Sequence, residues 1–169
     1  MALTYEPIAT TTANGSVSSI TFTGISGSYT DLLLVCNAYY TTSSRTSFSI
    51  QVGNGTIDTG TNYSWTGLYG NGTTAASGRA TTQTYTYGGV ISGVPCTFLA
   101  HLMDYSNTTT YKTFITRGNS LGSTASEDVW FGANLWRSTS AINQVKVYVG
   151  NGSNFTSDSV FTLFGIQAA

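Results

Sequence analysis

Short runs that alternate apolar and polar residues, separated by turn residues, extend along this entire sequence and constrain it to an antiparallel β fold. Residues 47–52 set Phe48, Ile50 and Val52 against Ser and Gln, and residues 18–25 place Ile20 and Phe22 on one side. A period of two puts such residues on one face of a strand. The same reading gives strands over residues 31–39, 63–69, 82–90, 97–105, 112–117, 129–136, 144–149 and 160–166, ten or eleven in all with the N-terminal segment. No window repeats apolar residues at helical spacing through three turns, so little or no helix is expected.

Four Asn-Gly pairs, Asn14-Gly15, Asn54-Gly55, Asn71-Gly72 and Asn151-Gly152, lie between these runs. Such pairs supply the positive φ angles of tight turns at small steric cost. With no crossover helices, the strands close most simply as a two-sheet antiparallel sandwich of jelly-roll type. All 169 residues fit one domain, large enough to bury a core without metal or disulfide. The polar stretches 53–62, 71–81 and 119–126 read as mobile or partner-touching loops.

Charged residues make up only 8% of the chain, the formal net charge is -1, and aromatics reach 13%. Disordered chains are poor in aromatics and rich in charge, so this chain folds. A neutral, hydroxyl-rich surface suits a protein packed among others, although carbohydrate-binding modules share it. Two Lys and four Arg scattered along the sequence make no basic patch able to neutralise several phosphates, which argues against nucleic acid as a partner. The opening residues lack a signal-peptide pattern and the longest apolar stretch, residues 32–36, is too short to span a bilayer, so synthesis in the cytoplasm and no membrane are expected.

Candidate chemistry is sparse. His101 is the single histidine, and Asp104, three residues on, would face the other side of a strand. It reads as structural. Cys36 and Cys96 sit in apolar segments without metal-ligand spacing and read as buried thiols, with a disulfide between them left open. Asp58 alone is too little for a calcium loop, and Glu127-Asp128 suits a loop or strand edge better than a facing carboxylate pair. No cofactor, metal or catalytic residue is expected.

Trp65, Trp130 and Trp136 carry the remaining signal. Large rings of this kind serve either packing and subunit contacts or stacking on sugars. Trp130 and Trp136 share a parity opposite to Phe131, Ala133 and Leu135, so both faces of that strand read as buried. Trp130, Trp136 and Tyr69 are therefore candidate interface residues.

The closing segment carries Trp136, Ala141-Ile142, Asn154-Phe155 and a last strand Phe161-Thr162-Leu163-Phe164-Gly165-Ile166. It resembles the C-terminal segment of bacteriophage virion structural proteins that end in an FTLYGI-like strand. Residues 25–35, 55–72 and 103–114 resemble the same group, so the likeness runs through nearly the whole chain in order. The resemblance implies a non-enzymatic virion protein and brings no catalytic residues with it. A head-decoration (cement) protein, working as a trimer or dimer that clamps the major capsid protein, is the leading expectation. A tail or fibre component and a carbohydrate-binding module for host attachment are the alternatives.

Overall fold

The computed structural model describes residues 4–41, 44–120 and 128–167. Thirteen strands follow one another: β1 (Tyr5–Thr12), β2 (Ser19–Phe22), β3 (Asp31–Ala38), β4 (Thr46–Asn54), β5 (Thr56–Ile57), β6 (Tyr63–Gly70), β7 (Ala75–Gln83), β8 (Thr86–Ile91), β9 (Cys96–Met103), β10 (Lys112–Ser120), β11 (Asp128–Trp136), β12 (Gln144–Val149) and β13 (Val160–Ile166). Among the described residues there is no helix.

The strands form two antiparallel sheets, as the alternation predicts. The larger has the order β1-β13-β3-β9-β10-β11-β6-β7, and the smaller β2-β12-β4-β5, with β8 also paired to β4. Leu32, Leu34 and Cys36 from β3, Phe98 and Leu102 from β9, and Phe114 from β10 meet Phe48, Ile50, Val52, Val145 and Val147 of the smaller sheet in one buried cluster. Phe48 and Phe98 stack across it with ring centroids 4.1 Å apart. β3, β9, β10, β12 and β13 bury one face each and leave the other at least partly to solvent, whereas β4 buries both, since Ser49 and Gln51 are buried along with Phe48, Ile50 and Val52.

All four Asn-Gly glycines adopt positive φ, between 75° and 85°. In the β6–β7 turn the Asn71 side chain accepts hydrogen bonds from the backbone N–H groups of Thr73 and Thr74, and this Asx turn fixes the hairpin register. Residues 71–81, expected as a loop, instead contain most of β7, an edge strand of the larger sheet. Residues 53–62 likewise contain the short strand β5. Asn119 and Ser120 end β10, and the rest of the third expected loop, with Glu127, lies outside the described residues.

β8 occupies a special place. It pairs with β4 but slips register between Phe48 and Ser49, where Gly89 adopts a φ of 132°. A bulge of this kind bends its strand, and β8 also packs against β10 and β11 of the larger sheet. One side of the sandwich is closed by this strand. β8 also reaches β6, whose Tyr63 hydroxyl accepts from the Val52 N–H of β4.

Candidate functional site

β6 and β11 run antiparallel and in register, so their side chains alternate together between two faces of the larger sheet. On the inner face Trp65 and Tyr69 of β6 approach Trp130 of β11, and Tyr87 of β8 lies against them. Trp65 and Tyr87 are stacked, with centroids 5.2 Å apart. Trp130 meets both edge-on, at 5.7 Å from Trp65 and 4.7 Å from Tyr87, and Tyr69 lies nearly parallel to it. Edge-on and offset arrangements are those the ring quadrupoles favour.

Two devices hold this cluster. First, the Trp130 ring lies across Gly67, where a Cβ would come within 2.1 Å of its Cη2 atom. No other residue fits beneath the ring. Second, the Thr116 hydroxyl on β10 accepts hydrogen bonds from Trp130 Nε1 at 3.2 Å and Asn134 Nδ2 at 3.0 Å, and donates to the Tyr87 carbonyl at 3.0 Å. Asn134 Oδ1 in turn accepts from the Tyr87 N–H. Three strands are therefore cross-linked through buried, mutually satisfied polar groups. Burial pushes the Tyr87 hydroxyl up to about 12, against the pull of the Arg45 charge, so it stays protonated.

The rings line a cleft of about 420 Å³. Tyr85, Asn71, Arg45 and Gly78 complete its wall. Trp65 Nε1 is buried and finds no acceptor among the described residues.

The outer face of the same two strands differs. Leu68 and Phe131 are directly opposed across the ladder and are 62% and 48% exposed, and Val129 is 67% exposed two residues along. Leu99 and Arg117 continue this face through β9 and β10, bordering an open depression of about 340 Å³ with Val129 and Phe131.

The expected interface residues thus separate. Trp130 is 6% and Trp136 3% exposed, both turned into the chain's own interior, and Tyr69 is 40% exposed at the mouth of the cleft. The two tryptophans share a face opposite Phe131, as parity predicts. The expectation that both faces of their strand are buried is corrected, because Val129 and Phe131 face solvent. Trp136 serves a loop instead: its Nε1 donates to Asp58 Oδ2 at 2.7 Å. The same carboxylate accepts from the Gly60 N–H and Asn62 Nδ2. Partial burial alone would raise the Asp58 carboxyl, but these three donors outweigh it and hold the group below the ordinary value.

Other titratable groups are tied into the fabric. His101 Nε2 lies 2.8 Å from Asp31 Oδ2 on the neighbouring strand β3, whose second oxygen accepts the Asp104 N–H. Lys112 is buried and donates to the carbonyls of Thr110 and Thr139; burial lowers its pKa, opposed by the charge of Asp104. Cys36 and Cys96 are buried and unpaired, and burial pushes the Cys36 thiol up. Among the described residues no three His, Cys, Asp or Glu side chains gather as metal ligands would.

No family model and no curated protein matches this chain. Among solved structures it is similar to a homodimeric agglutinin from chicken liver, with 11% identity over 85% of this chain and 98% of that one and a TM-score of 0.34. It is also similar to the CBM2 module of the evolved Dit of Lactobacillus casei BL23 phage J-1, with 10% identity over 89% and 69% of the two chains and a TM-score of 0.26. An alginate lyase solved with an alginate tetrasaccharide gives 8% identity, 96% and 73% coverage and a TM-score of 0.27. At these scores the likenesses carry no functional argument.

Proposed function

We propose that this chain is a non-enzymatic structural protein of a bacteriophage particle, acting as a head-decoration protein that grips a neighbouring capsid subunit with the outer face of its larger sheet. The Leu68–Phe131 pair carries the reading. Two large apolar side chains are directly opposed on a regular, solvent-facing ladder, with Val129 beside them. Apolar side chains gathered at this exposure mark contact surfaces, and the core of such a contact is typically aromatic and poor in charge.

The chemistry of the surface supports a protein occupant. Arg117 is exposed, pairs across the sheet with Phe131, and makes no hydrogen bond or ion pair with a described residue. A matching partner therefore presents apolar side chains around a carboxylate or a free backbone carbonyl, which a protein subunit does and a nucleic acid does not. The resemblance of the sequence to phage virion proteins supplies the setting. The scarcity of charge supports it, because few ionic groups need be desolvated when such a surface is covered.

The test is reconstitution on capsids that lack this protein. The wild-type chain is expected to bind them, and the double variant Leu68→Ser/Phe131→Ser, folded by circular dichroism, is expected to lose at least about tenfold in affinity, the loss of one or two anchor side chains. Retention of wild-type binding by the double variant would remove this face from the account.

A further inference from the structure

From the other side of the same ladder, we infer that the aromatic cleft is a carbohydrate-binding site that takes one pyranose ring of a glycan in the space lined by Trp65, Tyr69, Tyr85, Tyr87 and Trp130. The inference is independent of the docking surface, which faces the opposite way.

The cleft has the size and make-up of a ligand site. Its volume of about 420 Å³ falls within the roughly 300–1,000 Å³ of small-molecule sites, which are mostly aromatic and apolar with a few placed polar groups. It is also pre-formed. Gly67 and Thr116 fix the Trp130 ring and the Thr116–Asn134 pair anchors the Tyr87 backbone before any ligand arrives, so binding need not spend free energy on ordering Trp130.

The wall chemistry selects the ligand class. Ring faces of Trp and Tyr present negative charge density, which suits the polarised C–H faces of a sugar, while tyrosine hydroxyls and the Asn71 side chain at the rim suit its hydroxyl edge. A purely apolar ligand would leave the rim unmatched. The small side of the cleft is made by Gly78 of β7, where an added Cβ would stand in ordinary van der Waals contact with the Trp65 ring, at 3.5 Å.

The experiment titrates the full chain with a panel of defined hexose and N-acetylhexosamine oligosaccharides, read by tryptophan fluorescence and by saturation-transfer NMR. At least one member is expected to bind and to perturb the tryptophan signal. Gly78→Val keeps every ring, places its methyl groups in the cleft, and is expected to weaken that binding by about tenfold or more without loss of capsid binding. Tyr69→Ala, at an exposed position, gives an independent second reading with an unchanged fold and weaker glycan binding. Absence of binding across the panel at millimolar sugar, or binding untouched in both variants, would overturn the assignment.

Discussion

The inner and outer faces of the β6–β11 ladder are built from alternate residues of the same two strands, yet they are held in different ways. Inside, Trp130 is held by Gly67 beneath it and Thr116 at its indole nitrogen, Trp136 by Asp58, and the Tyr87 backbone by Asn134 and Thr116. Outside, Leu68, Val129 and Phe131 stand in solvent. Mutations at these held inner positions should therefore report on folding, and those on the outer face on association alone.

The largest expected effect is that of Gly67→Ala. Its methyl group would overlap the Trp130 ring, and overpacking of this kind typically costs about 1–3 kcal/mol; we expect the upper end, about 3 kcal/mol in denaturant unfolding. A value near zero would mean that Trp130 moves freely and that the inner face is no more constrained than the outer.

Thr116→Val comes next. The shape is kept, but Trp130 Nε1 and Asn134 Nδ2 lose their acceptor, and buried donors left unsatisfied cost about 1–3 kcal/mol each. Partial rearrangement should leave a net loss of about 2 kcal/mol, accompanied by a change in near-ultraviolet dichroism of the aromatic cluster.

A smaller effect is expected from acid. Asp58 is held below its ordinary value in the folded chain, so on acidification the unfolded state takes up this proton first. The stability that Asp58 supplies is thus complete above the unfolded carboxyl pKa, about 3.9, and is lost as pH falls through the lower, folded value. Asp58→Asn should flatten the unfolding curve in that acidic window and leave its slope unchanged near neutrality.

The smallest effect belongs to the outer face. Leu68→Ser/Phe131→Ser should alter stability by no more than about 0.5 kcal/mol while weakening capsid binding by at least about tenfold. A large destabilisation would show that these side chains support the fold after all, and would erase the contrast between the faces.

Much of the architecture was legible in the sequence because the relevant signals are local. Alternation in residues 47–52 and 144–149 marks strands whose inner face meets a full second sheet, and each Asn-Gly pair marks a turn that needs positive φ. β7 was not legible. Its sequence, AASGRATTQ, lacks the large alternating side chains of a core strand because one face meets solvent and the other borders an open cleft. Small residues there look like a loop. The cleft was hidden for a different reason: Trp65, Tyr87 and Trp130 come from three strands, and only the register and the bulge at Gly89 bring them together. The odd-numbered series Tyr63, Trp65, Gly67, Tyr69 does place its rings on one face, the one signal that pointed toward the cluster. The His101–Asp31 contact depends on the β3–β9 register and left no trace in local spacing.

The most direct test of the central claim is a cryo-electron microscopy reconstruction of the intact particle, with copy number from quantitative gel densitometry. The account predicts many copies on the head lattice, with Leu68, Val129 and Phe131 covered by a neighbouring capsid subunit. A few copies confined to the tail, or copies on the head with that face open to solvent, would contradict it.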